Sequence, residues 1–393
     1  DLVATRQIQS LMFLLGLESV SSLSDHLIRI FSACGSFLEA LRSFSMISKP
    51  SVYSWSAIIS SHADFGSGND AFQLFIAMQN SGISPDKVAF LCILRVCGHV
   101  RAIECGKIIH HQVVEYGLES DVAISSALIV VYTNCDHIED AGKVFDNVRI
   151  ADEVIYGAMI TGYTKNDQGF AALGLFERML RKRIVLNEVI CSCILKACIC
   201  TGEIEWGMII HHQVLENAVD TDVFVGSSLI DMYASCGSIH DAQNTFIFSS
   251  EKILVMWNAL ISGYSRNVNG YKVIEYFLKM QREGHIPTQV TFVCTLGACS
   301  HILDIQLGMQ VHTYIIELSY DLNVFIESAL IDMYAQSWCL DESLHVFSSS
   351  VKQDNVTWGA LISGFVRCGQ HGEAMFHYRN MKDMGFKITE TIY

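Results

Sequence analysis

The sequence predicts an all-α protein, a right-handed α-solenoid superhelix of stacked helix-turn-helix repeats. Three prolines among 393 residues favour helices that run without interruption. Trp257, Leu260, Ile261 and Tyr264 follow the i, i+3, i+4, i+7 spacing of one helical face. The whole pattern recurs every 101 residues without insertions or deletions. Methionine, for example, recurs with this period at Met78, Met179, Met280 and Met381. A strict internal period is typical of a repeat protein.

Each 101-residue block divides into three similar segments of 35, 35 and 31 residues. Each segment predicts two helices, because a second run of helical spacing, such as Ala71, Leu74, Phe75 and Met78, lies between glycine-containing breaks. A two-helix unit of this length, about 35 residues, cannot bury both apolar faces alone. Neighbouring units must therefore stack, which explains the high hydrophobicity without a globular core.

Composition and charge exclude several classes of protein. With 51% hydrophobic residues the chain is not intrinsically disordered, and its longest uncharged stretch, 284–303, is too polar to span a membrane. The net charge of −15 argues against indiscriminate nucleic-acid binding, so a polyanion would have to be held by local groups. Fourteen cysteines without a CxxC pair indicate a reducing compartment.

The segment lengths and the strings VMWNALISGY, FVGSSLIDMYASCGSIHDA and GMIIHHQV resemble the pentatricopeptide repeat (PPR) family. Within it they resemble the plant PLS subfamily, in which P, L and S motifs alternate in that order. The tetratricopeptide pattern, W-x-x-L-G-x-x-Y with a later A-x-x-x-F, is absent. The resemblance covers the whole chain. It divides the chain into a partial L repeat at 1–20, an S repeat at 21–51, P-L-S triplets at 52–152, 153–253 and 254–354, a P repeat at 355–389, and the start of an L repeat at 390–393.

The resemblance implies binding of single-stranded RNA, one base per repeat. In this family the fifth residue of the first helix and the last residue of the motif read the base. The P motifs then supply the pairs Ser56 with Asp86, Gly157 with Asn187, Asn258 with Thr288, and Gly359 with Thr389. The S motifs supply Asp25 with Ser51, Ser126 with Asp152, Ser227 with Ile253, and Ser328 with Asp354.

By the same resemblance, a small hydroxyl with a closing Asp favours guanine, and Asn at the fifth position favours a pyrimidine. Gly157, Gly359 and Ile253 have no side chain that can bond a base edge, so their units should discriminate poorly. From Ser56 onward the expected RNA, 5′ to 3′, is G, open, G, weak, open, open, pyrimidine, open, G. A matched side chain contributes about 1–3 kcal/mol, by analogy with groove readout.

Two further positions complete the implied interface. The second residue of each P motif, which packs against the base, is Tyr53, Val154, Val255 or Val356. A basic residue near position thirteen, which meets the RNA backbone, is Lys165, Arg266 or Arg367, with Asp64 at the fourth place. An alternative reading stays open at both sites: the Asp residues could simply cap helices, and the cations could compensate helix C-termini.

The L motifs carry Leu91, Ser192 and Val293 at the fifth position, and two of these cannot bond a base edge. These motifs are therefore expected to be spacers or partner surfaces, and in the family they dock small accessory editing factors. The repeated histidine pairs, such as His110 with His111, are expected to be core or groove residues rather than metal ligands. His371-Gly372-Glu373 matches half of a zinc deaminase signature, but no P-C-x-x-C partner follows.

The sequence thus predicts a non-catalytic RNA-binding solenoid without cofactor or metal. The resemblance implies a site-recognition factor for C-to-U editing in a mitochondrion or chloroplast, working with organellar RNA, accessory factors or a deaminase-bearing partner. One alternative is a protein-binding scaffold, because α-solenoids also bind peptides. Another is the recognition part of an enzyme whose deaminase follows this segment. Because the chain starts and stops inside repeats, we expect it to be a fragment.

Overall fold

The computed structural model of the chain describes residues 2–17, 21–47, 49–65, 68–216, 223–249, 251–320, 323–350 and 353–386. These residues form 23 α-helices and no strand, so the expected all-α class is confirmed. Thr389, the closing residue of the last P pair, lies outside the described residues. Within the described part, no helix is long and apolar enough to cross a membrane.

Even-numbered helices are the first members of the helix pairs and odd-numbered helices the second. The first helices are α2 (Ser21–Ala33), α4 (Val52–Phe65), α6 (Lys87–Val100), α8 (Val122–Asn134), α10 (Glu153–Lys165), α12 (Glu188–Thr201), α14 (Val223–Ser235), α16 (Leu254–Arg266), α18 (Gln289–Ile302), α20 (Val324–Gln336) and α22 (Asn355–Arg367). The odd-numbered helices are α1 (Leu2–Leu14), α3 (Phe37–Ser45), α5 (Gly68–Asn80), α7 (Ile103–Glu115), α9 (Ile138–Asn147), α11 (Gly169–Arg181), α13 (Ile204–Glu216), α15 (Ile239–Phe248), α17 (Gly270–Arg282), α19 (Ile305–Glu317), α21 (Leu340–Ser349) and α23 (His371–Asp383).

The chain forms two compact units, Asp1–Cys200 and Thr201–Tyr393. In the first unit, successive first helices from α2 to α10 pack against one another, and each also packs against its own second helix. In the second unit, the first helices from α14 to α22 do the same. Each unit is therefore a stack of helix pairs, as the repeat predicts.

The phased apolar residues form the core of each stack. Trp257, Leu260 and Ile261 are fully buried and Tyr264 nearly so. The residue at the place of Trp257 packs edge-on against a phenylalanine from the preceding second helix in every P motif. The four ring pairs and their centroid distances are Phe44 with Trp55 (4.7 Å), Phe145 with Tyr156 (5.2 Å), Phe246 with Trp257 (4.6 Å) and Phe347 with Trp358 (4.5 Å).

Phased glycines mark close approaches between helices. A Cβ at Gly207 would lie 2.3 Å from Met232 Cε, and one at Gly308 would lie 2.6 Å from Met333 Sδ. Both methionines belong to the first helix of the following S motif. A side chain at either glycine would therefore require the flexible end of the facing methionine to move.

The repeated histidines join successive motifs. His110 Nδ1 lies 2.8 Å from the Tyr132 hydroxyl, which connects α7 with α8. The same bond recurs between His211 and Tyr233 (3.0 Å) and between His312 and Tyr334 (2.8 Å). In the part of the chain that the structure describes, no group of His, Cys, Asp and Glu could hold a metal ion. His110, His211 and His312 therefore link the second helix of each L motif to the first helix of the following S motif.

Replacing Tyr132 with phenylalanine should destabilise the first unit by about 1–2 kcal/mol, because a partly buried His110 nitrogen loses its partner. Burial lowers the pKa of His110, with Asp140 opposing, and raises the pKa of Tyr132 to about 12, so both side chains are neutral at neutral pH. Urea unfolding measures the loss. Tyr271→Phe, at an exposed tyrosine, is the control and should have little effect. Equal losses in the two variants would show that the His110–Tyr132 hydrogen bond does not contribute to stability.

Candidate nucleic-acid interface

The first helices line an open groove in the first unit. Among the residues that the structure describes, one section, of about 800 Å³, is lined by α2, α4 and α6, and another by α4, α6 and α8. The lining side chains include the second, fifth and ninth residues of these helices. In α4 they are Tyr53, Ser56 and Ser60, and in α6 they include Val88 and Arg95. The groove thus offers a linear ligand a similar set of positions once per helix pair.

An exposed row of apolar side chains follows the second position of the first helices. Nine of the described residues at this position have between 48% and 72% of their surface exposed. This apolar row consists of Tyr53, Val88, Val154, Val189, Phe224, Val255, Val290, Phe325 and Val356. Single exposed apolar residues need no explanation, but a row in phase indicates an interaction surface. The four P-motif members were predicted as base-packing residues.

The other five members of the apolar row belong to L and S motifs and were missed from the sequence. The signal was available, because Val88, Val189 and Val290 stand at the same second position as the P-motif valines. Phe224 and Phe325 stand there in S motifs. A flat apolar or aromatic side chain at this place can pack against a nucleobase regardless of its identity.

Ser56 on α4 and Asp86 at the start of α6 meet at the groove. The Ser56 hydroxyl donates to Asp86 Oδ1 over 3.1 Å, and the same oxygen accepts the Ala89 backbone N–H at 2.8 Å. Ser56 is buried, whereas Asp86 is only partly buried. Asp86 Oδ2 accepts no hydrogen bond from any residue that the structure describes. Ser56 therefore orients a carboxylate whose second oxygen is left for a donor on a ligand.

Asp25 and Ser51, the first S-motif pair, are also in contact. The Ser51 hydroxyl lies 3.3 Å from Asp25 Oδ2 and 3.1 Å from the Ser54 hydroxyl. Asp25 lines the same groove section as Tyr53 and Ser56. The fifth and last positions of this motif therefore form one polar group.

Other pairs are not joined by a direct hydrogen bond between described side chains. The Ser227 hydroxyl donates to the Phe224 carbonyl at 2.8 Å, and the Ser328 hydroxyl donates to the Phe325 carbonyl at 3.0 Å. Ser126 lines the groove but makes no hydrogen bond to Asp152. Ile253 precedes α16 without a side-chain cap.

The Asn258 pair is connected indirectly. Asn258 Oδ1 accepts a hydrogen bond from the Thr291 hydroxyl at 2.6 Å, and Thr291 forms a capping box with Thr288. In the arrangement observed, the Asn258 amide nitrogen is left as the donor toward a ligand. In the Gly157 unit, the side chain of Asn187 accepts the Ile190 N–H at 2.9 Å. Gly359 is buried.

Helix capping and base reading involve the same residues. The closing residues accept backbone N–H groups at the start of the next helix, which satisfies donors that a helix N-terminus leaves unpaired. These residues are Asp86, Asp152, Asn187, Thr288 and Asp354. The capping alternative is therefore correct as a description of geometry, and it leaves the second carboxylate oxygen of Asp86 available.

The basic residues at position thirteen have polar partners on the preceding first helix. Arg266 Nη2 lies 2.6 Å from Asp231 Oδ1, and Arg367 pairs in the same way with Asp332. Lys165 Nζ lies 3.5 Å from the neutral Asn134 Oδ1. These contacts connect neighbouring motifs, which neither reading of the cations foresaw. The side chain of Asp64 is outside the described residues.

The L-motif fifth residues differ in their surroundings. Leu91 lines the groove beside Ser126, while Ser192 and Val293 are partly buried. Leu91 offers only apolar contact there.

Comparison with protein families identifies the repeat. The PPR repeat family matches residues 50–99, and the PPR repeat matches residues 154–184, 255–285 and 356–386. The last three segments are 101 residues apart, in phase with the internal period.

Curated relatives extend the match over nearly the whole chain. The pentatricopeptide repeat-containing protein At4g18520, chloroplastic, of Arabidopsis thaliana is 30% identical over 99% of this chain and 63% of its own length. At5g27110 of the same plant is 30% identical over 97% of this chain and 55% of its own length. At3g09040, mitochondrial, is 28% identical over 94% and 36%. The chain thus spans less than two thirds of the length of these relatives.

A solved structure shares the fold. The crystal structure of the pentatricopeptide repeat protein PPR10 in complex with an 18-nt psaJ RNA element superposes with a TM-score of 0.81 at 18% identity, covering 96% of this chain and 57% of that chain. The helical-repeat solenoid is therefore the fold of this protein. Fold, internal period and sequence matches agree, and the chain belongs to the pentatricopeptide repeat family.

Proposed function

We propose that the chain binds single-stranded RNA sequence-specifically in the groove of its first helices. The observation that carries this proposal is the Ser56–Asp86 group, in which Ser56 lines a groove section together with Tyr53 and Val88 of the apolar row and hydrogen-bonds the Asp86 carboxylate. Two apolar surfaces can hold a base by its faces while the carboxylate accepts from its edge. The similarity to PPR10, which is named in complex with RNA, supports the same ligand class.

The base assignments follow from the residue pairs. A carboxylate accepts from N–H groups, and guanine presents two such donors, N1–H and N2–H, on its Watson–Crick edge. Asp86 with Ser56, Asp152 with Ser126 and Asp354 with Ser328 are accordingly assigned to guanine. Asn258 with Thr288 is assigned to a pyrimidine, and Lys165, Arg266 and Arg367 to the RNA backbone. The closing Thr389 belongs to the proposed last pair with Gly359.

The three-motif series supports assignment to the PLS subfamily, and with it a role in choosing sites for organellar RNA processing by C-to-U editing. Relatives named chloroplastic and mitochondrial support an organelle location. The chain would supply recognition, and a deaminase would come from a partner or from a further region of the protein. No catalytic residue is assigned here.

The second helices of the L motifs offer a surface for accessory editing factors. Each carries two apolar side chains, six or seven residues apart and about half exposed: Ile108 and Val114 on α7, Met208 and Leu215 on α13, and Met309 and Ile316 on α19. Side chains seven residues apart share one helical face. A protein-binding scaffold remains the second candidate function, and these surfaces are the observation in its favour.

Binding to matched RNAs tests the proposal. An RNA with the expected pattern should bind at least tenfold more tightly than one in which the three guanines are cytosines, measured by fluorescence anisotropy at fixed salt. A control RNA with three changes at open positions should bind as well as the first. The largest loss is expected at the guanine opposite Ser56, where the reading pair is already hydrogen-bonded. Equal affinity for all three RNAs would overturn sequence-specific binding, and no affinity for any would favour the scaffold.

A further inference from the structure

We propose that Thr291 is a positioning residue that fixes the side-chain amide of Asn258 and thereby makes this P motif select cytosine over uracil. The inference rests on the proposed RNA-binding function and deepens it, because the reading pair assigns only a pyrimidine there. Thr291 belongs to the next motif, 33 residues beyond Asn258, so it lies outside the two positions assigned to base reading.

Asn258 and Thr291 meet where α16 packs against α18. Asn258 is the fifth residue of α16, the place that Ser56 holds in α4, and Ser56 lines the groove of the first unit. Thr291 is the third residue of α18, and it is fully buried. Its hydroxyl donates to Asn258 Oδ1 over 2.6 Å. A buried hydroxyl thus holds one end of a partly buried amide at the reading position.

The capping box of α18 fixes the direction of this hydrogen bond. Thr291 Oγ1 accepts the Thr288 backbone N–H at 2.9 Å and lies 3.1 Å from the Thr288 hydroxyl. When that hydroxyl also donates to Thr291, both lone pairs of Oγ1 are occupied, and the Thr291 proton goes to Asn258. A separation of 2.6 Å is typical of a hydroxyl that donates to oxygen and short for an amide N–H donor. The Asn258 oxygen is therefore held, and its nitrogen is left as the donor.

The residue at the place of Thr291 matches the fifth residue in the two preceding P motifs as well. Ala89 stands there after Ser56, and its side chain offers no polar atom. Ile190 stands there after Gly157, and its Cγ1 would lie 3.4 Å from a Cβ on that glycine. Among these three motifs, the hydroxyl stands only beside the asparagine, the one side chain whose two ends differ in hydrogen bonding.

A fixed amide donor distinguishes the two pyrimidines. Cytosine presents two adjacent acceptors, N3 and O2, on its Watson–Crick edge, whereas uracil places the N3–H donor between two acceptors. A freely rotating amide can offer its nitrogen and its oxygen together and pair with either base. With its oxygen held by Thr291, Asn258 offers the nitrogen, which suits the acceptors of cytosine and opposes the N3–H of uracil. The motif should therefore prefer cytosine.

Two RNAs that differ only in cytosine or uracil opposite Asn258 test the inference on the full chain, by fluorescence anisotropy at fixed salt. The unchanged chain should prefer cytosine by about fivefold, the equivalent of one hydrogen bond. Thr291→Val should remove this preference, and Thr291→Ser, which keeps the hydroxyl, should retain it. Thr295→Val is the matched control, because it removes a buried hydroxyl of the same helix that bonds the Thr291 carbonyl at 2.7 Å. It should leave the preference unchanged.

Asn258→Asp tests the same contact without altering α18. One carboxylate oxygen can still accept from Thr291, and the other places an acceptor where the amide donor was. The preference should reverse toward uracil, whose N3–H donates. A preference for cytosine that survives this substitution, or equal affinity of the unchanged chain for the two RNAs, would overturn the inference.

Unfolding in the absence of RNA tests the hydrogen bond itself. In a double-mutant cycle of Thr291→Val and Asn258→Ala, the combined loss of stability should be smaller than the sum of the separate losses. Additive losses would mean that no such bond forms, and the inference would be wrong. Coupled losses with an unchanged preference in Thr291→Val would limit Thr291 to a structural role and reject the inference too. If the unchanged chain binds neither RNA, the proposed function fails and the inference fails with it, whatever the cycle shows.

Discussion

Trp257→Ala is expected to lower the free energy of unfolding of the second unit by about 3–5 kcal/mol. Trp257 is fully buried between Phe246, at 4.6 Å between ring centroids, and Tyr276, at 6.2 Å. Alanine would leave a cavity lined by these rings, which rigid helix packing can only partly close. Chemical denaturation measures the effect. Unfolding is followed by far-UV circular dichroism, which reports helix content and does not depend on the substituted tryptophan.

Trp257→Phe is the matched control and should cost less than about 1.5 kcal/mol. The Trp257 indole nitrogen is buried and has no hydrogen-bond partner in the described structure, so phenylalanine loses no polar contact. The equivalent place in the preceding P motif is already filled by Tyr156. Similar losses for alanine and phenylalanine would mean that ring size and shape, not burial, determine stability at this site.

The consequence of Trp257→Ala should be local, because helix pairs in a solenoid contact mainly their neighbours. Hydrogen exchange should accelerate in α15 to α18, which surround the ring, and stay unchanged in α4 to α8 of the first unit. Uniform acceleration along the chain would indicate that the protein unfolds as one cooperative body.

The fold could be predicted in detail because one pattern is repeated. A single amphipathic helix leaves its partner undetermined, but Trp257 and its counterparts fix the same ring contact four times, so each repetition supports the others. The same phase indicated a structural role for the histidines, and a hydrogen bond to tyrosine recurs with it at His110, His211 and His312.

Less of the candidate site than of the fold could be predicted from the sequence. The pattern places Ser56 and Ser126 in identical roles, yet only Ser56 reaches its closing aspartate among the described residues. Ser126 belongs to a 31-residue S motif. In the one S-motif pair found in contact among the described residues, the fifth residue is Asp25, whose side chain is longer than that of serine. Contact therefore depends on side-chain length relative to the local backbone spacing, which a list of positions does not contain.

The ion pairs at position thirteen were missed for a different reason. Asp231 and Arg266 are 35 residues apart and belong to different motifs, so a scheme that assigns roles within one motif does not compare them. The period itself could have revealed the pair, because Asp332 and Arg367 repeat it 101 residues later. The L-motif and S-motif members of the apolar row were missed because the prediction considered the second position only in P motifs.

Asp86→Asn is expected to abolish the preference for guanine at one position of the RNA, a change of about 1–3 kcal/mol in relative affinity. Asparagine keeps an oxygen for the Ser56 hydroxyl and the Ala89 N–H, so the local structure and the helix cap persist. Its second atom becomes an N–H donor, which opposes the donors of guanine and favours a base with an acceptor there, such as N1 of adenine. Binding to four RNAs that differ only at this base measures the change.

Asp121→Asn separates base reading from helix capping. Asp121 caps α8 by accepting the N–H groups of Ala123 and Ile124 at 3.0 and 3.1 Å, but its motif has Leu91 at the fifth position and therefore no reading pair. If aspartates before the first helices serve only as caps, both substitutions should have small effects on stability and none on base preference, although Asp121→Asn also weakens an exposed ion pair with Lys87. If Asp86 reads a base, only its substitution changes the preference, and it does so at a single nucleotide. A change at several nucleotides would instead indicate that the substitution shifts the position of α6 along the groove.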